Sequence, residues 1–190
     1  MAAAIYSTLN ESGIDVNNVF VLSTGTPEYP APPFIPGTLA WGTDGSHWVY
    51  CTASITIGAG SVVIVSEVPG SWSVALIGGA TVATAPIGDL LGVVGGSQGT
   101  MVVPAPSSPQ TGTYFWVQRA GNCPNVSAAA STTKDVQLYS SATVGGRVSS
   151  SAGGAGTTYQ VNGMVISQAT GSTAGPNTAI LNFPVVGTSA

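Results

Sequence analysis

Charge is nearly missing from this chain. Three Lys or Arg and seven Asp or Glu occur in 190 residues, 5% of the total, against about 25% in an ordinary globular protein. The surface is therefore covered by hydroxyls, amides and backbone, or is buried against a partner. Three basic side chains and a net charge of −4 leave no positive field to neutralise phosphates, which excludes nucleic acid as a partner. Histidine occurs once and cysteine twice. One His and two distant Cys match no zinc spacing, no Asp-rich calcium loop is present, and two cysteines make no disulfide framework, so no metal or cofactor is expected. Cys51 and Cys123 read as free, buried thiols. Long apolar runs are also lacking: even the charge-free stretch 148–190 is interrupted every few positions by Gly, Ser, Thr or Pro, so no membrane-spanning helix fits it. The opening "MAAAIYSTLNESG" has neither the basic nor the apolar region of a secretory signal.

What the chain does have is β-forming sequence. Gly, Pro, Ser and β-branched residues break every window long enough for an amphipathic helix. Short runs replace it: "NNVFVLS", "TLAWG", "HWVYCTAS", "SVVIVSEV", "WSVALIG", "LLGVVGG", "TMVVPA", "TYFWVQRAG", "KDVQLYSS", "GRVSS", "YQVNGMVIS" and "TAILNFPVVG". Turn-forming clusters such as "TDGS" and "VPGS" separate them. Strands at this spacing predict an all-β sandwich or barrel-like domain, and 190 residues suffice to bury roughly 70% of the unfolded surface.

Residues 24–37, "TGTPEYPAPPFIPG", hold five prolines, which deny ladder donors and favour extended backbone. Residues 1–38 are accordingly expected to form an extended Pro-rich N-terminal arm leading into a β-rich body at 39–190. A second proline-rich connection, "PAPSSPQTG" at 104–112, is either a long loop in one body, the favoured reading, or a boundary between two small domains.

Within the body, "GTDGSHWVYCTAS" at 42–54 gathers the histidine, a cysteine, a carboxylate and two large aromatics. Asp44-Gly45 is a hairpin signal. On the following strand His47, Val49 and Cys51 share one face and Trp48 and Tyr50 the other. His47 and Cys51 then lie on one strand beyond direct hydrogen-bond reach, unless the strand is bulged. Ser46, His47 and Asp44 are too local for a triad. The acids Glu11, Asp15, Glu28, Asp44, Glu67, Asp89 and Asp135 are scattered, mostly at predicted turns, where capping of backbone amides is their ordinary role. "GVVGGSQG" lacks the helix and Lys or Thr of a phosphate cradle. No catalytic residue is assigned. Trp41, Trp48, Trp72 and Trp116 read as core or interface packing, with a sugar platform as the alternative.

The ordered series "GTDGSHWVYCTAS", "LLGVVGG", "YFWVQRAGNCPNV", "VQLYSSATVGGRV", "VNGMVISQATG" and "AILNFPVVG" resembles the head decoration, or cement, proteins of tailed bacteriophages. In that family a Gly–x–Asp–Gly–x–x–x–Val–Tyr hairpin, an aromatic-Trp-Val-Gln strand and an "LYTSATAG"-like segment recur in this order. The resemblance covers about residues 39–187 and omits the arm, and the stretches "SEVPGSWSVALIGGATVATAPIGD" and "PAPSSPQTG" are longer than the family pattern. It implies a structural virion protein, made in the host cytoplasm, that sits on the outer capsid surface, binds the major capsid protein and bridges neighbouring subunits, with no catalytic residue. The arm, through Tyr6, Leu9, Phe20, Tyr29 and Phe34, is the expected capsid or neighbour contact. Free β edges and an uncharged surface favour a homo-oligomer, expected as a trimer. A tail- or fibre-associated carbohydrate-binding module is the competing reading.

Overall fold

The computed structural model describes residues 5–7, 10–16, 18–23, 32–68, 71–79, 87–95, 102–103, 110–153 and 158–189. They are all-β, with no helix among them. The strands are β1 (Ile5–Ser7), β2 (Asn10–Ile14), β3 (Phe20–Ser23), β4 (Leu39–Gly42), β5 (His47–Ala53), β6 (Ile57–Gly58), β7 (Val62–Val68), β8 (Ser71–Leu76), β9 (Leu90–Val94), β10 (Val102–Val103), β11 (Gln110–Ala128), β12 (Leu138–Ser140), β13 (Val148–Ser149), β14 (Tyr159–Ile166) and β15 (Gly175–Ser189).

Their pairing closes two rings. In the first, β5 pairs with β8 in parallel, β8 with β7, β7 with β9, and β9 with β11, which returns to β5. In the second, β11 pairs with β15, β15 with β14, β14 with β12, and β12 with β13, which meets β11 at Ala128. The long β11 belongs to both rings, and a β9–β15 pairing ties them again. This closure is barrel-like, and it pairs the backbone groups that open edges would expose.

Period-two alternation decides which core each side chain enters. The first ring encloses Val49, Cys51 and Ala53 of β5, Val63 and Val65 of β7, Val74 of β8, Val94 of β9, and Phe115 and Val117 of β11. The second encloses Leu138, Val148, Val161, Met164, Ile166, Ala179 and Leu181, with Cys123, Val126 and Ala128 of β11. Val62 and Ile64 of β7 and Leu91 and Val93 of β9 also face this second core. Both faces of β7 and β9 are thus buried, which explains why "SVVIVSEV" and "LLGVVGG" are nearly continuous apolar runs. Cys51 and Cys123 are free and buried, one in each core.

A third cluster lies outside the first ring, where Trp48, Tyr50 and Trp116 pack with Ala40 and Val16. Parts of 1–38 cover it. Phe34 meets Tyr50 and Trp116 edge-on at 5.4 and 5.2 Å, while Gly37 N–H donates to Tyr50 O at 2.7 Å and Tyr50 N–H to Thr38 O at 2.9 Å. β1 pairs with β4, and β3 with β11. The proline-rich residues 24–31 and the connection 104–109 lie outside the described residues.

The β4–β5 hairpin follows the Asp-Gly signal. Gly45 takes φ +78°, Asp44 Oδ1 accepts from Ser46 N–H at 3.0 Å, and Ser46 Oγ accepts from Trp48 Nε1–H at 2.9 Å. Burial pushes the Asp44 carboxyl up, but the Ser46 hydrogen bonds outweigh it and hold the group below its ordinary value. The tip docks onto β11 at Gly121, whose φ is +93° and where a Cβ would stand 2.8 Å from Ser46 Cα. Only glycine fits there.

Candidate functional site: the aromatic mouth of the first ring

The inward rows of the first ring run Cys51, Val49, His47 on β5 and Phe115, Val117, Arg119 on β11. The antiparallel register places His47 opposite Ala120, so both rows end in a polar side chain at the same mouth. On β7 the inward row Val63, Val65 is continued there by exposed Glu67. A chain with so little charge brings an acid, a base and its histidine to one place.

Arg119 is aimed by a bulge. The β11–β5 register shifts between Gln118 and Ala120, and the side chain of Gln118 fastens the distortion by donating from Nε2 to the carbonyls of Ala120 and Asn122, each at 3.0 Å. Bulges of this kind re-aim a side chain. Gly92 of β9 makes room for it: a Cβ there would lie 3.2 Å from Arg119 Cδ. Arg119 is 6% exposed, and its Nε has no hydrogen-bond partner. Burial pulls the guanidinium down from its ordinary value, and the Glu67 carboxylate opposes that pull.

His47, also 6% exposed, lies between two aromatic rings, Trp41 at 4.4 Å and Phe183 at 5.2 Å between centroids. Its Nδ1 has no partner. Burial, and then the positive Arg119, hold its pKa below 6.5, so the ring is neutral at pH 7. Arg119 also stands 5.9 Å from the Phe183 centroid. Both rings over His47 face solvent: Trp41 is 50% exposed and Phe183 44%. Phe183 sits at φ +47°, an outlying conformation for a bulky residue, where the β14–β15 register shifts between Asn162 and Met164.

The mouth offers stacking surface and hydrogen-bond donors, not an activated nucleophile. Burial raises the Cys51 thiol far above its ordinary value, so the His47–Cys51 row holds no thiolate. Cys123 is pushed up to about 12, again by burial. Among the described residues no three His, Cys, Asp or Glu gather as a metal site. Two open depressions elsewhere, of about 330 and 310 Å³, are lined by 135–137 with 161–165 and by Pro124 with 168–171, Thr173 and 175–178.

The expected arm contacts are dispersed. Tyr6 stands opposite Trp41 in the β1–β4 register, Phe20 packs 6.2 Å from Tyr114, and Phe34 lies on the third cluster. Leu9 and Tyr29 fall outside the described residues. Sequence reasoning reached His47 and Trp41 but not Arg119, Glu67 or Phe183 as their neighbours. The legible signal was Arg119 falling on the inward parity of Phe115 and Val117 in "YFWVQR".

The depressed pKa of His47 makes stability depend on pH. The unfolded chain takes up a proton near pH 6.5 that folded His47 refuses, so stability is full above about pH 6.5 and declines as pH falls toward 5. The thermal midpoint is expected to drop between pH 7 and 5 in the native chain and to drop less in His47→Gln. Equal slopes would remove this role from His47.

No protein-family model and no curated protein matches the chain.

Proposed function

We propose that this chain is a structural protein of a tailed-phage head, which binds the outer face of the capsid lattice and bridges neighbouring capsid subunits. The observation that carries the proposal is the ordered motif series. Its segments occupy, in sequence order, the β4–β5 hairpin, β9, β11, β12 with β13, β14 and β15, which are strands of the two rings and the hairpin packed on them. The resemblance therefore spans strands of both rings, together with the β4–β5 turn and the β12–β13 connection.

The surface chemistry agrees with such a role. A nearly uncharged protein makes contacts that salt screens little, and many copies on one shell gain avidity from weak individual contacts. In this proposal residues 1–38 contribute to the contact, and Phe20 and Phe34 anchor that segment to the body. The partners are the major capsid protein and further copies of the chain, assembled as a trimer. The role is structural, with no catalysis, cofactor or nucleic acid.

Quantitative mass spectrometry of purified virions tests this directly. A ratio of one chain per capsid subunit, or a simple fraction of one, is the expected result. A few copies per particle would move the protein to the tail or a vertex, and absence from the virion would reject the reading. Deleting 1–38 is a poorer test, because it also removes β1, β2, β3 and buried Val16.

A further inference from the structure

We infer that the mouth of the first ring binds a neutral sugar, with Trp41 and Phe183 as stacking rings and Arg119, His47 and Glu67 as the polar set that orients its hydroxyls. The inference stands apart from the capsid reading and holds on or off a virion.

Two buried nitrogens begin the argument. Arg119 Nε and His47 Nδ1 lie under the aromatic rim, in side chains each more than nine-tenths buried, and neither has a hydrogen-bond partner. Unpaired buried polar atoms are costly and uncommon. Six such atoms occur among the described residues, and these two belong to side chains that both stand beside the Phe183 ring, which faces solvent. Arg119 Nε is a donor and needs an acceptor. His47 Nδ1 donates or accepts according to tautomer. A hydroxyl both donates and accepts, so a polyol satisfies both atoms whichever nitrogen of His47 carries the proton.

Charge then selects among hydroxyl-bearing ligands. Arg119 is the cation of the mouth, Glu67 acts on it electrostatically, and neutral His47 adds nothing, so the polar set is close to balanced. An acidic sugar or phosphate would meet Glu67 and a chain of net charge −4. A neutral pyranose meets no such field. Its apolar C–H face suits an exposed indole or phenyl ring, and its hydroxyls suit a few fixed polar groups at the base, which is the ordinary composition of a small-molecule site. The positive φ of Phe183 adds to the case, because backbone strain here holds a large ring out to solvent instead of hiding it.

The test uses the full chain, fluorescently labelled, on an array of immobilised neutral, sialylated and sulfated glycans, with titration of the retained glycans in solution. Trp41→Ala and Phe183→Asn are the variants. Both positions are about half exposed, and Asn tolerates positive φ, so each variant keeps its fold, which thermal unfolding checks. Retention of neutral glycans, with affinity reduced about tenfold or more in each variant, is the expected result. Retention of acidic glycans alone, retention unchanged in both variants, or no retention at all would overturn the assignment and leave the two nitrogens to buried water.

Discussion

Leu138→Ala is expected to lower the unfolding free energy by about 2–5 kcal/mol, the range for truncating a buried leucine, and tryptophan fluorescence is expected to report the loss. That readout is informative because of where the tryptophans stand. Trp41, Trp48, Trp72 and Trp116 lie on β4, β5, β8 and β11, all in or against the first ring, while Leu138 belongs to the core of the second. If the rings unfolded separately, the fluorescence midpoint would ignore the substitution. The structure argues for one unit: β7 and β9 present one face to each core, and β11 passes from the first ring into the second. Melting either core strips half the burial from shared strands. In urea, fluorescence and far-ultraviolet circular dichroism should shift together by the same free energy. A fluorescence midpoint equal to that of the native chain would show that each ring is its own folding unit.

The strand pattern was largely legible in the sequence because it is written locally. All twelve runs chosen from β-forming residues and turn punctuation contain strands of the structure. β1 and β2, "IYS" and "NESGI", were missed because neither alternates, and the two-residue β6 is too short to carry a period. β11 was cut short at Gly121, since Gly and Pro ordinarily end a strand. The chain instead carries Pro124 through a register shift between Cys123 and Val126 and continues to Ala128, a position where a sheet tolerates proline.

The closure of the strands was not legible, because it depends on pairs such as Thr52 with Ser73 and Ala128 with Val148, whose spacing no local pattern encodes. The candidate site divides the same way. The facing of His47 beside Val49 and Cys51 follows from alternation alone. The approach of Phe183 from β15 does not, since it depends on a register shift and a positive φ far along the chain.

The same alternation separates the tryptophans by role. Trp116→Ala is expected to cost about 3–5 kcal/mol, the range for emptying a buried aromatic site. Trp116 is 2% exposed and is the ring on which Phe34 stands edge-on at 5.2 Å and Tyr50 tilts at 5.0 Å. Removing it opens a cavity and also loosens the segment that Phe34 ties to the body. Trp116→Phe should recover part of the loss. Trp41→Ala, by contrast, removes a half-exposed ring from the mouth and should change stability by less than about 1 kcal/mol. Equilibrium unfolding of the three variants decides between packing and display. A large loss at Trp41 would make that ring structural and weaken the case for a stacking site, and a small loss at Trp116 would mean that the outer aromatic cluster does not hold 1–38 in place.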